Sequence, residues 1–353
     1  MISFPFGKKN KGQIGIGFHD GGVIIGQCGW LHGEYLHPTV LRVEKNPREL
    51  TSSDWQKYIA ESSITGTECS ISLPPNVAQH QVLRLPNMSV HEVKEAAAWE
   101  MADRLGVDRS TLQMDAIPIG SGGDVLAIAI EQSTLSNLLD PLYEAGLQPT
   151  LIEPQCVSVS RTMSMLYRRQ SDQSKVRSVF DFSMNDSCFM VLAGDTLVFY
   201  KHFNYCGNTL IESIASHTGV TNEQAKKMLE DADSLESNEE VCKAVRDATR
   251  STHEAIATDT MKCIRHYGVT NRGPLSTKLI ITGSSGWNTN LAASLSTSCN
   301  QNIVRDVLSK HIQSLPESVL QTCGWHIALG ASLATISTNK LRRDSDNSTR
   351  EAA

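Results

Sequence analysis

The sequence predicts a two-domain α/β protein, and three observations support this prediction. The 353 residues are enough for two domains that each bury a core. Both halves begin with a strand hairpin that carries Gly or Asp, at 12–31 and at 178–203, and continue with helices. A polar stretch without Gly or Pro, RRQSDQSKVRS at 168–178, separates the halves. This repetition indicates duplicated α/β lobes around a cleft.

In chain order, the first half alternates strands with helices, and its clearest element is the helix in MSVHEVKEAAAWEMADRLGV. Ser89 can cap that helix, Glu92 follows at the spacing of a capping box, and Gly106 comes after the last turn. The other segments read as strands or short helices: QIGIGF, VIIGQCGW, EYLHPTVLRVE, SDWQKYIAESSI, ECSISLPP, QHQVLRLPN, 111–119, 124–130, 133–145, PTLIEP and 156–168.

The second half repeats this order of hairpin and helices. A buried strand, KLIITG, precedes a turn and helix, and CGWHIALGASLATI is a final apolar helix. The last residues, 339–353, lack apolar content, and we expect them to be disordered. The remaining segments read as three strands at 178–192 and 196–203, the helices GNTLIESIASHTG and TNEQAKKMLEDA, and a long helix ending near Tyr267.

Composition excludes several classes of function. Hydrophobic residues make up 40% and charged residues 20%, which is ordinary for a soluble globular protein. The net charge of −6 and the lack of a basic block argue against nucleic acid as the main ligand. No apolar run approaches the roughly 18 residues of a membrane span. The first residues place their charges after a very short apolar patch, so we expect no secretory signal.

The cysteines and histidines show no ligand spacing. The nine cysteines are odd in number and contain no C-x-x-C pair, and the eleven histidines contain no H-E-x-x-H. We therefore expect buried thiols in a reducing cytosol, with neither a disulfide framework nor a zinc site.

Seven motifs, in order along some three hundred residues, resemble the PilM family of type IV pilus assembly proteins, within the actin-like ATPase superfold. They are SLPPNVAQHQVLRLPNMSVHEVKEAAAWEM, EAGLQPTLIEP, FDFSMNDSCFMVLAGDTLVFYKHF, IASHTGVTNEQAKKMLED, ATDTMKCIRHYG, LIITGSSGW and GWHIALGASLA.

The resemblance implies two actin-like (ribonuclease H-like) lobes, related to those of FtsA and of the cytoplasmic part of GspL. On this basis we expect a first lobe at 1–168, with a small α/β insertion at about 64–119, and a second lobe at 169–338. The implied function is a cytoplasmic scaffold of a type IV pilus or related type II secretion platform, without covalent chemistry. It would bind the cytoplasmic tail of a PilN-like inner-membrane protein, which would hold it at the membrane indirectly. A contact with the pilus assembly ATPase is a further expectation. The sequence leaves open whether copies of the chain associate.

The departures from the family pattern cluster where phosphate would bind. Members open with a G-[IV]-D-[IV]-G-S-like turn, whereas GIGFHDGG has Gly17 in place of the acid. The second hairpin keeps Asp181 but has Ser183 where a Gly is usual. A Cβ there holds the loop away from phosphate, and a missing acid weakens the anchoring of hydrated Mg²⁺. The resemblance thus implies ATP or ADP with Mg²⁺, bound weakly or lost, Asp181 holding the Mg²⁺ through water. The implied nucleotide-binding residues are Asp20, Gly21, Asp181, Ser183, Gly283 and Gly286.

The residues also allow plainer interpretations. Asp181 can cap backbone N–H groups at a strand end, and Gly21 can serve a two-residue hairpin turn. If nucleotide loss rests on two residues, restoring them (Gly17→Asp with Ser183→Gly) should tighten ATP binding. The alternative function is an ATP-binding actin-like ATPase of the FtsA type.

A partner site is expected on the insertion. Family members bind an extended partner segment between the first lobe and its insertion, and ECSISLPP and QHQVLRLPN would form one wall of that groove. Leu73, Leu83 and Leu85 would seat the peptide's apolar side chains. The alternative is that these leucines pack beneath the helix at 89–105.

Overall fold

We describe the structure from a computed structural model of the chain. The description covers 12–19, 21–31, 34–86, 88–120, 123–167, 175–232, 238–271, 275–276, 278–283, 289–304 and 324–334. The chain forms two compact units: unit 1 comprises Met1–Pro74, Glu131–Arg168 and His311–Ala353, and unit 2 comprises Pro75–Ile130 and Arg169–Lys310.

Unit 1 is built on a five-stranded mixed sheet of order β3-β2-β1-β4-β8. Its first three strands form an antiparallel meander, whereas β4 and β8 run parallel to β1. The strands are β1 (Ile14–His19), β2 (Gly22–Leu31), β3 (Glu34–Val43), β4 (Glu68–Leu73) and β8 (Gln148–Pro154). The helices are α1 (Ser52–Glu61), α3 (Gln132–Glu144), α4 (Gln155–Leu166) and α9 (Trp325–Ser332). Helix α1 begins at Ser52 with Thr51 as its cap.

Helix α9 is buried along its whole length, because small residues let it lie directly against its neighbours. A Cβ at Gly15 would strike the carbonyl oxygen of Ala328, and a Cβ at Gly330 would strike that of Ser158 on α4. Thr162 on α4 donates its hydroxyl to the carbonyl oxygen of His326 at 2.6 Å. The apolar segment Trp325–Ser332 is therefore a core helix held between the sheet and α4.

Unit 2 has a second five-stranded sheet, of order β11-β10-β9-β12-β13. Its strands are β9 (Val176–Phe182), β10 (Ser187–Ala193), β11 (Thr196–Phe203), β12 (Lys278–Thr282) and β13 (Asn302–Val304). Four helices accompany it: α5 (Gly207–Thr218), α6 (Asn222–Ala232), α7 (Glu239–Asn271) and α8 (Thr289–Cys299). Its core is a cluster of large side chains that includes Phe180, Phe182 and Phe189.

The segment Pro75–Ile130 adds a three-stranded antiparallel sheet and one helix to unit 2. The strands, in sheet order, are β5 (Gln79–Arg84), β7 (Asp124–Glu131) and β6 (Leu112–Ile119); the helix is α2 (Val90–Leu105). Helix α2 has the predicted capping box, with Glu92 N–H donating to Ser89 Oγ and Ser89 N–H donating to a Glu92 carboxylate oxygen. The Gly120 N–H donates to the Leu197 carbonyl oxygen on β11, so the small sheet adjoins β11.

These compact units differ from the predicted domain limits. The insertion was expected at about 64–119 in the first lobe, but β4 lies in the main sheet of unit 1, and 75–130 groups with 169–310. The compact units and the predicted lobes are different divisions of the chain, so the lobe limits stay a prediction. The predicted tail at 339–353 lies outside the described residues.

Candidate functional site

The first hairpin joins β1 to β2. His19 pairs with Gly22, and Gly21 lies in the turn that precedes β2. Gly21 has a φ of 84°, a left-handed conformation that favours glycine, and no atom lies within 4 Å of where its Cβ would be. Hairpin geometry therefore explains Gly21 without a phosphate. Asp20 and Gly286 lie outside the described residues.

The position that would carry the family's acid is closed by a side chain of α9. A Cβ at Gly17 would lie 2.7 Å from Ile327 Cγ2 and 3.1 Å from Ile24 Cγ2. Both neighbours are buried and β-branched, so their methyl groups cannot swing aside freely. The missing acid is thus part of a tight apolar contact as well as a change of charge.

On the second hairpin, β9–β10, Asp181 is a buried residue with a partner inside the protein. It is 1% exposed and pairs in register with Thr282 on β12, whose Oγ1 donates to Asp181 Oδ1 at 2.9 Å. This partner is a side-chain hydroxyl, whereas the plainer interpretation of Asp181 expected backbone N–H groups, so that interpretation stays a prediction.

The bend after Asp181 uses its backbone groups internally. Ser183 N–H donates to the Asp186 carbonyl oxygen at 3.0 Å, and Ser183 is only 7% exposed. The first two N–H groups of α5, on Gly207 and Asn208, donate to the carbonyl oxygens of Ser183 and Met184, each at 2.9 Å. Free N–H groups at a helix start can bind an anion, but here the bend takes these two.

Gly283, which directly follows β12, lies against the backbone of Phe182 at the end of β9. Its φ is 93°, and a Cβ would meet the backbone of Phe182, with the nitrogen at 2.7 Å. Glycine is required here by the approach of β9, whatever the loop binds.

Considered separately, neither described half of the predicted nucleotide site offers free groups suited to Mg²⁺ and phosphate. The first offers a methyl group where the acid would stand, and the second offers hydrogen bonds that are already made. Within the described ranges, no three His, Cys, Asp or Glu side chains are grouped to hold a metal ion.

The three leucines predicted to bind a partner are packed inside the protein. Leu73 ends β4 and is 2% exposed, and Leu83 is likewise 2% exposed within the cluster beneath α2. Leu85 is partly buried against the same cluster. Burial leaves Leu73 and Leu83 little surface for a peptide, and it supports the alternative of packing beneath α2 for Leu83 and Leu85. Strands β4 and β5 lie in different sheets. Partner binding itself stays a prediction.

Two features escaped the sequence reasoning. One is a contact between β5 and β11, where His80 Nδ1 lies 3.2 Å from the Tyr200 hydroxyl. Burial, with a smaller effect from the charge on His202, lowers the pKa of His80 to about 3. The other is a buried ion pair between Glu153 and Arg161, 2.6 Å apart, beside α9. The spacing of these residues predicts neither pairing, because His80 and Tyr200 lie on strands of different sheets and Arg161 lies on α4.

Comparison with known proteins finds solved structures that are similar to this chain. Neither family models nor curated protein sequences match this chain. Among solved structures, the PilM-PilN type IV pilus biogenesis complex aligns over 91% of this chain and 98% of that chain, with a TM-score of 0.67 and 16% identity. The chain has a PilM-like fold.

Two further structures align less closely. The ethanolamine utilization protein EutJ from Carboxydothermus hydrogenoformans covers 91% of this chain and 89% of its own, at TM-score 0.50 and 10% identity. A Bacteroides thetaiotaomicron protein described as having an actin-like ATPase fold and unknown function covers 86% of this chain and 94% of its own. Its TM-score is 0.47 at 9% identity, too low to support any inference about function. In the described helices, none has both the length and the apolar character of a bilayer span.

Proposed function

We propose that this chain is a scaffold of a type IV pilus or related type II secretion platform, bound to the cytoplasmic tail of a PilN-like inner-membrane protein. The supporting observation is the PilM-like fold, which extends over nearly the whole of both chains. In this proposal the chain is cytoplasmic, reaches the membrane only through partners, and performs no covalent chemistry. Contact with an assembly ATPase belongs to the same proposal. No described contact favours the FtsA-type alternative.

Strand β5 is the peptide-binding element that we propose in place of the buried leucines. It lies at the edge of its sheet and pairs with β7 on one side. Such an edge presents unpaired N–H and C=O groups, and an extended peptide can add to it as a further strand. The side chains at 79, 81 and 84 of this strand are exposed on unit 2.

The register shows which backbone groups a peptide would meet. The Leu85 N–H donates to the Gly123 carbonyl oxygen, which continues the β5–β7 ladder. Since successive residues of a strand direct their N–H groups to opposite sides, Leu83 also faces β7, whereas Val82 and Arg84 face the open edge. Val82 is therefore the central donor of the proposed peptide site.

A proline at position 82 tests this site, because it removes the outward N–H but leaves the ladder to β7 intact. The probes are synthetic peptides that copy the cytoplasmic tails of short single-span membrane proteins encoded beside this chain. We expect calorimetry to show binding by wild type and by Val82→Ala, and at least tenfold weaker binding by Val82→Pro. Equal binding by a folded Val82→Pro protein would exclude the β5 edge. If no such peptide binds the wild-type chain, the proposed function is wrong.

A further inference from the structure

Ile327 fills the space that an acid at position 17 would occupy. It belongs to α9, which cannot retreat, since Gly15 and Gly26 of the same hairpin also touch that helix. A Cβ at Gly26 would lie 2.9 Å from the Ala328 Cβ. Protein interiors resist such added atoms because they are already close-packed. An aspartate at 17 would also bring an unpaired carboxylate into this apolar contact.

The second hairpin is closed by different chemistry. The carbonyl oxygens of its bend accept hydrogen bonds from the first N–H groups of α5, which could otherwise bind a phosphate. Phosphate would have to displace the Ser183 and Met184 carbonyls before it could reach these donors. Asp181 is likewise engaged with Thr282.

We propose that this chain does not bind Mg-nucleotide, because each half of the predicted nucleotide site is closed by the protein itself. Ile327 closes the first half, and the 183–186 bend closes the second. The protein thereby keeps its fold without a ligand that related folds use. The proposal does not depend on partner binding, and it changes the expectation drawn from the sequence. Restoring an acid at 17 and a glycine at 183 would not restore binding while Ile327 stays in place.

The direct test is the melting midpoint of the wild-type chain with and without Mg-ADP and Mg-ATP. A ligand present at about 100 times its Kd raises the midpoint of the folded protein by several degrees. We expect a change within about 1 °C for either nucleotide at about 2 mM, a concentration that would saturate a micromolar site. A rise of several degrees with either one would overturn the proposal.

A double-mutant cycle tests Ile327 separately. Gly17→Ala adds only a Cβ, and we expect it to lower the midpoint by roughly 3–8 °C. In the Ile327→Ala background the same change should cost less than half as much, because the colliding methyl group is gone.

Gly26→Ala is the matched control, since its Cβ would meet Ala328, which Ile327→Ala leaves unchanged. Its cost should be similar in both backgrounds. If Gly17→Ala melts like wild type, or costs as much without Ile327 as with it, Ile327 does not close this position and the proposal fails. If Gly17→Ala does not fold, recovery of the folded protein by adding Ile327→Ala supports the proposal, and continued unfolding overturns it.

Discussion

The hairpins β1–β2 and β9–β10 occupy corresponding places in the two halves of the sequence, yet they are stabilised by opposite means. The first relies on close apolar packing: Gly15, Gly17 and Gly26 make room for the apolar helix α9. The second relies on hydrogen bonds: Asp181 accepts from Thr282, and Ser183 accepts from the start of α5. One hairpin is a steric fit and the other is a polar network.

This difference shows that two similar hairpins can be stabilised by different interactions. A steric fit is sensitive to added volume, and a polar network is sensitive to a missing partner. The two hairpins should therefore respond to different substitutions, and the following predictions separate them.

The largest effect is expected from Gly15→Ala on the first hairpin. The added Cβ would strike the Ala328 carbonyl oxygen, which is helix backbone and cannot move alone. We expect the free energy of unfolding to fall by about 3 kcal/mol or more in a urea titration. Gly66→Ala is the control, because its φ of 96° makes it strained but nothing lies nearby; it should cost about 1 kcal/mol. Equal stability of the two variants would show that α9 shifts to accommodate the added Cβ at little cost in free energy.

Asp181→Ala should destabilise the second hairpin in buffer without Mg²⁺. It leaves the buried Thr282 hydroxyl without this acceptor, a loss of about 1–3 kcal/mol by urea unfolding. Asp181→Asn keeps an acceptor oxygen and should lose less. An Asp181→Ala protein as stable as wild type would mean that the carboxylate is reserved for a ligand. The hydrogen bond to Asp181 would then not be a source of stability for the second hairpin.

Acid should loosen the second hairpin's outer strand before it affects the first hairpin. His80 lies against Tyr200 on β11 and near His202, and burial lowers its pKa to about 3 from 6.5. Because the folded pKa is lowered, the stabilisation is complete above pH 6.5 and is lost as the pH falls from 6.5 towards 3. The unfolded chain binds the extra proton there, so stability falls by about 1.4 kcal/mol per pH unit from this group.

Hydrogen exchange at pH 7 and pH 5 measures that loss strand by strand. Amides of β5 and β11 should lose protection at pH 5 relative to those of β1 and β2, after correction for intrinsic exchange rates. The change should be smaller in His80→Gln, which does not titrate in this range. A uniform change in all four strands would assign the effect to other groups, such as His253, whose pKa burial lowers to about 4.

Ser183→Gly should have the smallest effect. The hydrogen bonds of the bend are made by the backbone, so they survive the change, and glycine adds only unfolded-chain freedom. We expect a loss of about 0.5–1 kcal/mol and no gain of Mg-ATP binding in calorimetry. A gain of binding from this change alone would show that the serine side chain, and not the closed bend, keeps phosphate out.

Much of the fold could be predicted from local patterns. The capping box of α2 and the glycine that follows this helix are local signals, and both appear where expected. Strand β4 was also found from its apolar run, but its assignment to the insertion was an inference about neighbours, and its neighbours are β1 and β8. The sequence also left open whether Leu83 would seat a peptide or pack beneath α2, and only the folded structure shows that α2 covers it.

The sequence by itself determined the order of strands and helices, the repetition of hairpin and helices, and the positions where an acid or a glycine had been exchanged. These are properties of neighbouring residues, for which periodicity and turn chemistry suffice. Only the tertiary structure decided what the exchanges mean. Ile327 is 310 positions from Gly17, and Thr282 is 101 from Asp181. Whether a missing acid leaves an open site or a filled one depends on which distant side chain packs there, and packing is decided by the whole fold.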